Sequence, residues 1–213
     1  PHDSRERFES LGCEVVTGQA RFINPSQVEV DGKYFDARRF VIATGSSTYI
    51  PPVTGLAQVN YLTSEDMFSL PVLPASMIIL GGGPVGVEMA QAYSRLGTKV
   101  SIVELAPRLL PQMAEDAAGI LADVLSAEGV SVYANSEVVE VAEQAGAKFV
   151  SLKDGRSLQA EALLVAVGRR PAVDSLGLES ANISYDARGI KVNKKMQTTN
   201  KRVFACGDVT GKM

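Results

Sequence analysis

The sequence contains no tryptophan, one histidine and two cysteines among its 213 residues. The histidine, His2, stands beside the N-terminus, so no general-base histidine is available for a self-contained serine or cysteine hydrolase. Cys13 and Cys206 are far apart, and neither belongs to a CxxC or metal-ligand spacing. This argues against a disulfide redox centre or a metal site built from this chain alone. We expect both cysteines to be small buried hydrophobes in a reducing compartment.

Long apolar runs and clusters of basic residues are also missing. No stretch approaches the roughly 20 apolar residues that cross a bilayer, and residues 1–6 are polar rather than signal-like. Lys and Arg number 21 against 24 Asp and Glu, for a net charge of −3. Without a basic patch, neither nucleic acid nor a membrane is an expected partner. We expect a cytoplasmic location and, since the chain does not begin with Met, a piece of a longer protein.

Residues before position 70 are predicted to form short strands followed by a connector. The predicted strands occupy 14–23, 27–30, 33–37 and 39–43. An Asp31-Gly32 pair between two alternating segments is a strong hairpin signal. Residues 45–62 are rich in Gly, Pro, Ser and Thr, which predicts an irregular connector. Thr63 or Ser64 then predicts the N-cap of a short helix that ends before Pro71.

From Met77 onward the pattern alternates between strands and helices. Apolar runs predict parallel strands, and apolar residues at helical spacing predict two helices between them. The predicted order is strand 77–80, helix 84–96, strand 99–103, helix 115–128 and strand 130–133. Residues 137–167 return to strands with short turns, which predicts an antiparallel meander covering one face of the sheet. The stretch 189–209 predicts one or two strands that end at a Gly-Asp corner.

A glycine cluster joins the first parallel strand to its helix. In a dinucleotide-binding loop, Gly81 would permit a tight turn, Gly83 would let a diphosphate approach the main chain, and Gly86 would let the helix pack on the strand. The helix N-terminus adds N–H donors and partial positive charge. The alternative is that the glycines only make a strand-to-helix turn. The predicted cofactor-binding residues of this loop are Gly81, Gly82, Gly83, Pro84, Val85 and Gly86.

Glu104 ends the next strand, roughly 20 positions past the first glycine, where an acid can accept hydrogen bonds from a ribose. The 2′-phosphate of NADP would meet a like charge there. At a separation of about 4 Å this repulsion costs about 1 to 4 kcal/mol for effective dielectric constants of about 80 to 20. We therefore predict that NAD(H) is preferred over NADP(H), with Arg108 softening the discrimination if it folds toward the same ribose. The alternative is a solvated acid at a strand end.

Four motifs occur in this order along the chain: "VIATGS" at 41–46, "GGGPVGVEMA" at 81–90, "AVGRRP" at 166–171 and "FACGDV" at 204–209. With them the sequence resembles the pyridine nucleotide-disulfide oxidoreductases, flavoenzymes that bind two dinucleotides. The form of the second motif is most similar to the mercuric-reductase-like and dihydrolipoamide-dehydrogenase-like branch. Glu104 stands where NADPH-preferring members tend to carry basic residues, which argues against a mercury enzyme that uses NADPH.

The resemblance implies an α/β fold: a Rossmann-like dinucleotide-binding domain, with a parallel sheet and an antiparallel β meander, plus partial flavin-domain β segments. It also implies roles for residues outside the glycine loop. Glu88 would lie near the nicotinamide as the catalytic acid, and Gly168 would form the floor beside it. Thr44 and Gly45 would lie on the FAD side, and Asp208 would bond the ribityl chain of the flavin. The alternatives are a helix-dipole carboxylate for Glu88 and an ordinary turn residue for Asp208.

The same resemblance suggests a domain organisation. Residues 1–70 would end a first FAD-domain segment, 71–190 would form the NAD-binding domain, and 191–213 would return to the FAD domain. The family's flavin-binding GxGxxG, its CxxxxC pair and its C-terminal dimer domain have no match in this sequence. We therefore expect part of an FAD-dependent, NADH-linked disulfide oxidoreductase, inactive alone, whose partners are dinucleotide cofactors and the remainder of its own flavin and dimer domains. The open alternatives are a non-catalytic NAD-responsive module and a flavin NADH oxidase or peroxidase without a redox disulfide.

Overall fold

The structure is a computed structural model that describes residues 4–211; His2 lies outside the described residues. The chain divides into two compact units. The central unit is Thr48–Arg169, and the split unit comprises the residues up to Ser47 and from Arg170 onward. The chain crosses from one unit to the other within a strand at Ser46–Thr48 and again within a strand at Arg169–Pro171.

The regular elements are numbered in chain order. The helices of the described part are α1 (Arg5–Ser10), α2 (Pro84–Arg95) and α3 (Glu115–Ala127), with 3-10 turns at Leu56–Gln58 and Gly207–Thr210. The strands are β1 (Ala20–Asn24), β2 (Gln27–Val30), β3 (Lys33–Asp36), β4 (Phe40–Ile42), β5 (Ser46–Thr48), β6 (Ser76–Leu80), β7 (Lys99–Val103), β8 (Ser131–Tyr133), β9 (Val138–Gln144), β10 (Ala147–Leu152), β11 (Ser157–Ala160), β12 (Ala162–Val165), β13 (Arg169–Pro171), β14 (Tyr185–Asp186), β15 (Gly189–Ile190) and β16 (Val203–Ala205).

The central unit is built on a four-stranded parallel sheet in the order β12-β6-β7-β8. In the middle of this sheet Met77 pairs with Val100 on one side and with Ala162 on the other. The parallel sheet predicted from the alternating pattern is therefore confirmed. The predicted meander differs at its end, because β12 leaves it and adds to the parallel sheet beside β6. Strands buried on both faces are apolar throughout, which explains the uninterrupted runs of β6 and β12.

Successive residues of β6 pack into two different cores. Met77 and Ile79 face the core formed with α2 and α3, where Leu125 is fully buried. Ile78 and Leu80 face the other core, which includes Val141 of β9. The strands β11, β10 and β9 form an antiparallel sheet that supplies this second layer, as the sequence predicts. The central sheet thus has helices on one face and a β meander on the other.

The split unit contains an antiparallel meander, β1-β2-β3, and a parallel pair, β16-β4. Asp31 and Gly32 both have positive φ, +48° and +84°, as a type I′ hairpin requires, so the predicted turn is confirmed. The first strand begins at Ala20 and not at residue 14 as predicted. Ile42 and Val203 are among the residues of a separate apolar core in this unit.

The short helix predicted after Thr63 is wrong, because residues 64–68 form only a turn. The Asp66 carboxylate accepts hydrogen bonds from the Thr63 hydroxyl and N–H, and the Met67 N–H closes one turn on the Thr63 carbonyl. The capping contacts are present, but the segment is too short to offset the cost of helix nucleation before Pro71 interrupts it.

The prediction that the cysteines are buried is also wrong, since both Cys13 and Cys206 are exposed. Cys13 lies beyond the C-terminus of α1, in a stretch without regular structure. Cys206 follows β16, in which Val203 and Ala205 point into the core, and the chain turns away after it. The side chains of the described residues therefore leave both cysteines open to solvent.

Candidate functional site

The candidate site lies at the C-terminal edge of the central parallel sheet. Gly81 follows β6, Glu104 follows β7, and Gly168 lies shortly after β12. Because β7 and β12 flank β6 on opposite sides, the direction of chain progression reverses at β6. Open parallel sheets bind their ligands in the crevice beyond the carboxyl ends of the strands at such a reversal.

Two glycines of the loop are required by the fold itself. Gly81 has φ +105°, and a Cβ there would lie 2.5 Å from the carbonyl oxygen of Ala166. A Cβ on Gly86 would lie 2.0 Å from the carbonyl oxygen of Gly81. The first contact brings the end of β12 against the turn, and the second brings α2 against the end of β6. Side chains at either position would separate these elements.

Gly83 differs from its neighbours because the protein leaves the space beside it open. A Cβ built there meets no atom within 4 Å, and its φ of −75° suits any residue. Gly83 is the N-cap of α2, whose first residue is Pro84, and no side chain caps the helix. The main-chain donors of the following turn, which includes Val85, are therefore free of a side-chain cap. This open cradle of bare main chain fits an anionic group such as a diphosphate.

Glu104 is half-buried and bonded to the glycine loop by its side chain. One carboxylate oxygen accepts from the Gly82 N–H at 2.5 Å, and the other accepts from the Ala106 N–H at 2.7 Å. A Cβ on Gly82 would lie 2.5 Å from the Leu109 side chain and 3.1 Å from Glu104. A carboxylate offers about four acceptor positions, so about two remain for a ligand. Sequence reasoning missed this second role of Glu104, in which it orders the loop.

The residues after Glu104 form a loop, 105–113, held by an arginine. The Arg108 guanidinium donates to the carbonyl oxygens of Leu110 at 2.9 Å, Pro111 at 3.0 Å and Met113 at 2.9 Å, and to that of Leu109 at 3.4 Å. Its donors are directed at the loop's own carbonyls. The guanidinium is not turned toward the predicted ribose position. The structure therefore does not show the arrangement in which Arg108 would soften the discrimination between NAD(H) and NADP(H).

Glu88 and Gly168 lie in the same unit as the glycine loop. Glu88 is exposed on α2 and, within residues 4–211, has neither a hydrogen bond nor an ion pair through its side chain. The first turn of α2 contains no acid, and helix-dipole effects fall off beyond that turn, which weakens the helix-dipole interpretation of Glu88. Gly168 has φ +144°, and its carbonyl accepts from the Tyr49 N–H at 3.0 Å.

The split unit brings together the residues predicted to lie on the FAD side. Because β4 and β16 are parallel, their carboxyl ends meet, and there the Ser46 hydroxyl donates to Asp208 at 2.7 Å. The Thr44 hydroxyl donates to the Ala172 carbonyl at 2.9 Å, and the Gly45 carbonyl accepts from the Ala172 N–H at 3.0 Å. The sequence alone did not indicate a role for Ser46, although it completes the "VIATGS" motif.

The described residues hold no metal-ligand cluster. Among residues 4–211, no three or more His, Cys, Asp or Glu side chains are grouped so that they could hold a metal ion. No helix in that range is long and apolar enough to cross a membrane. No buried side-chain nitrogen or oxygen in the described part lacks a hydrogen-bond partner.

The sequence model of the pyridine nucleotide-disulphide oxidoreductase family matches residues 5–213. The chain belongs to this family. It is 36% identical over 205 residues to a dihydrolipoyl dehydrogenase of Bacillus subtilis strain 168, covering 93% of this chain and 44% of that protein. It is 32% identical over 207 residues to a mercuric reductase of Bacillus cereus, covering 95% of this chain and 33% of that protein.

Solved structures of the family share the fold. The HOCl-induced flavoprotein disulfide reductase RclA from Escherichia coli superposes with a TM-score of 0.91 at 33% sequence identity, over 98% of this chain and 49% of RclA. The α/β fold and the family predicted from the four motifs are thereby confirmed. The chain spans between a third and a half of the length of these relatives. Enzymes of this family are oxidoreductases that use FAD and a pyridine nucleotide.

Proposed function

We propose that this chain supplies the NAD(H)-binding domain of a longer FAD-dependent, NADH-linked disulfide oxidoreductase. Residues 71–190 would form that domain, with flavin-domain segments in 1–70 and 191–213. The observation that carries the proposal is the open space at Gly83, beside an acid that already orders the same loop. Gly81 and Gly86 are needed for the fold, but no contact among residues 4–211 explains why position 83 has no side chain. A ligand that passes close to the main chain gives the reason.

The diphosphate of the dinucleotide would lie against Gly83 and the first N–H groups of α2, where the helix dipole favours an anion. The acceptor positions of Glu104 that are not used by Gly82 and Ala106 would receive the ribose hydroxyls. Glu104 would thus hold both the loop and the sugar. Its hydrogen bond to Gly82 would fix the distance between the diphosphate and the ribose.

Charge favours NAD(H) over NADP(H) in this arrangement. A 2′-phosphate about 4 Å from the Glu104 carboxylate would cost about 1 to 4 kcal/mol, or on the order of 5-fold to several hundred-fold in affinity. A neighbouring cation could offset this repulsion, but the Arg108 guanidinium is bonded to carbonyls of its own loop. The chain therefore offers the ribose an acid without a compensating base from that loop.

The remaining predicted residues would orient the reacting groups. Glu88 and Gly168 would lie at the nicotinamide end, and Thr44, Gly45 and Asp208 would contact the flavin. The hydride chemistry belongs to the bound cofactors, and the protein supplies binding, orientation and electrostatics. Without the rest of the flavin site, we expect the isolated chain to bind NADH but to transfer no hydride.

The rest of the longer protein would cover an apolar groove of the split unit. The groove has a volume of about 420 Å³ and includes Val16, Phe22 and Val41, of which Val41 is 66% exposed. The groove is lined by all three residues of β4 and by residues of the β1-β2-β3 meander. Strands of parallel sheets, such as β4 in its pair with β16, are normally covered on both faces. The exposed apolar face supports the assignment of these strands to a flavin domain that is completed by residues outside this chain.

Titration calorimetry with NADH and NADPH tests the proposal on the wild-type chain and on Glu104→Gln. We expect the wild type to bind NADH more tightly than NADPH by at least about fivefold, because the repulsion between Glu104 and the 2′-phosphate costs at least about 1 kcal/mol. Glu104→Gln keeps the size of the side chain but removes its charge, so the ratio should fall toward one. Equal affinities in the wild type, or no binding of either, would contradict the proposal.

A further inference from the structure

We infer that Arg108 is a positioning residue for the dinucleotide, an inference that rests on the proposed function. Arg108 holds Leu110 in a left-handed backbone conformation, from which the Leu110 N–H fixes the peptide plane that carries the Gly83 N–H. Arg108 thereby sets the direction of a main-chain donor that it does not touch. Two hydrogen bonds and one planar peptide connect Arg108 to Gly83 within the central unit.

The first contact orders the loop. Leu110 has φ +47°, a region that residues with a branched side chain rarely occupy and that persists only where surrounding contacts enforce it. The Arg108 guanidinium donates to the Leu110 carbonyl at 2.9 Å, and the Met113 N–H donates to the same carbonyl at 2.9 Å. Leu109, directly before it, is 2% exposed and packs in the core. The loop is thus anchored by a buried side chain and held in shape by the guanidinium.

The second contact joins this loop to the glycine turn. The Leu110 N–H donates to the Gly82 carbonyl at 2.9 Å, while the Gly82 N–H donates to the Glu104 carboxylate at 2.5 Å. Gly82 is therefore held through both its carbonyl and its N–H, and the two bonds restrict the conformational freedom that glycine otherwise has. Leu110 supplies one of these two bonds only while its backbone stays in the left-handed region.

The third step follows from the peptide bond. The Gly82–Gly83 peptide is trans, since the described part of the chain has no cis peptide bond. In a planar trans peptide the carbonyl of one residue and the N–H of the next point in opposite directions. A hydrogen bond that fixes the Gly82 carbonyl toward Leu110 therefore aims the Gly83 N–H away from it. Gly83 is the position whose side is open to a ligand.

An arginine suits this task better than a lysine. The guanidinium carries five N–H donors in a rigid plane and here serves the carbonyls of Leu110, Pro111 and Met113 together. A lysine keeps the charge but presents a single ammonium that cannot span these acceptors. Arg108→Lys should therefore behave more like Arg108→Met than like the wild type.

The test compares the affinities of the 213-residue chain for NADH and NADPH in five proteins. These are the wild type, Arg108→Met, Arg108→Lys, the double variant Arg108→Met/Leu110→Gly and the control Arg95→Met. The control removes the same charge from the same unit, but Arg95 pairs with Glu128 on the exposed surface. We expect Arg108→Met to weaken both nucleotides about tenfold, the loss of a charge-assisted hydrogen bond, with their ratio unchanged. Arg95→Met should leave both affinities unchanged.

The double variant separates positioning from simple stabilisation. Glycine adopts a positive φ without strain, so a loop with Leu110→Gly needs the guanidinium less. Leu110→Gly should therefore recover most of the affinity lost in Arg108→Met, although it lowers the melting temperature further by removing a half-buried side chain. A lower melting temperature in Arg108→Met without any loss of affinity would overturn the inference. So would a selective loss of NADPH, because it would mean that Arg108 contacts the 2′-phosphate itself.

Amide hydrogen exchange keeps the two proposals distinguishable. If the wild type binds neither nucleotide, the proposed function fails, but the hydrogen-bonded clamp formed by Arg108, Leu110 and Gly82 can still be measured. Exchange at the Leu110 and Gly82 amides should accelerate in Arg108→Met relative to the wild type and to Arg95→Met. Unchanged exchange at both amides would overturn the role of Arg108 whatever the binding result.

Discussion

At the scale of single residues, Gly83 and Gly86 show that two glycines of one motif are present for different reasons. A Cβ on Gly86 would lie 2.0 Å from the carbonyl oxygen of Gly81, whereas one on Gly83 would meet nothing within 4 Å. The fold therefore demands glycine at position 86. At position 83 only a ligand would do so.

Gly83→Ala and Gly86→Ala should consequently fail in different assays. We expect Gly83→Ala to change the free energy of unfolding by at most about 1 kcal/mol, the cost of a poorer N-cap. It should weaken NADH binding at least about fivefold, because overpacking by one methyl costs about 1 to 3 kcal/mol. Gly86→Ala should lower the free energy of unfolding by at least that same overpacking cost, about 1 to 3 kcal/mol. Urea unfolding followed by circular dichroism, with calorimetry of NADH binding, measures both.

A Gly83→Ala chain that binds NADH as tightly as the wild type would show that no ligand passes this close to the main chain. Gly97→Ala is a useful reference for the stability assay. Gly97 lies past the C-terminus of α2 with φ +100° and open space around it, so its substitution costs backbone strain without a steric clash. The comparison separates strain from crowding.

The clamp on the glycine turn shows what a sequence cannot predict at this scale. The spacing of the glycines and Glu104 predicted the location of the candidate site, because those positions are determined by local turn and helix geometry. The bond from the Gly82 N–H to the half-buried Glu104 carboxylate depends on how the chain after β7 lies against a turn more than twenty residues away. The bonds from the Arg108 guanidinium to three carbonyls are local, but they depend on the irregular course of residues 105–113. No periodicity or spacing in the chain reports such contacts.

At the scale of elements, the predictions succeeded where burial is simple. The strands β6 and β7 and the helices α2 and α3 were found near their predicted bounds, because strands buried on both faces and amphipathic helices have strong patterns. The helix after Thr63 failed because a capping signal was not followed by enough residues to build on it. The strand predicted from residue 14 failed because an apolar sequence alone does not provide a pairing partner before Ala20.

An ion pair in the meander links three elements and should make stability depend on pH. The Lys148 ammonium, whose side chain is 7% exposed, lies 2.9 Å from one Glu143 carboxylate oxygen, and the other oxygen accepts from the Asn60 N–H at 3.0 Å. The pKa of Glu143 is lowered, first by the hydrogen bond from Lys148 and next by the one from Asn60. The pair therefore joins β9 and β10 to the connector that precedes the sheet.

A carboxyl whose pKa is lower in the folded chain contributes stability above its unfolded value, about 4.3 for Glu, and that contribution disappears as the pH falls through the lowered value. We expect the wild type to be more stable than Glu143→Gln at pH 7, because the amide leaves the buried ammonium uncompensated. The difference should shrink below about pH 4.3. Thermal unfolding of both proteins between neutral and acid pH measures it. A difference independent of pH would contradict the ionic origin, and Glu140→Gln on the same strand provides the exposed control.

At the scale of the whole molecule, the two units differ in how complete they are. The central unit, Thr48–Arg169, contains both faces of its sheet, the helices and the meander, and both of its apolar cores lie wholly within it. The split unit has a two-stranded parallel pair beside an open apolar groove. Every residue proposed to hold NAD(H) lies in the central unit, from the glycine loop to Gly168.

Residues 48–169 should therefore fold and bind NADH without the rest of the chain. We expect one cooperative unfolding transition for this piece, and an NADH affinity within about threefold of that of the full chain, a difference below about 1 kcal/mol. Arg108→Met should weaken NADH binding by the same factor in the short piece as in the full chain, since the clamp lies inside the central unit. If the short piece folds but binds NADH much more weakly, residues of the split unit must contribute to the site. A piece that fails to fold would show that the two cores need support from outside the central unit, a result that the buried surfaces of the central sheet do not predict.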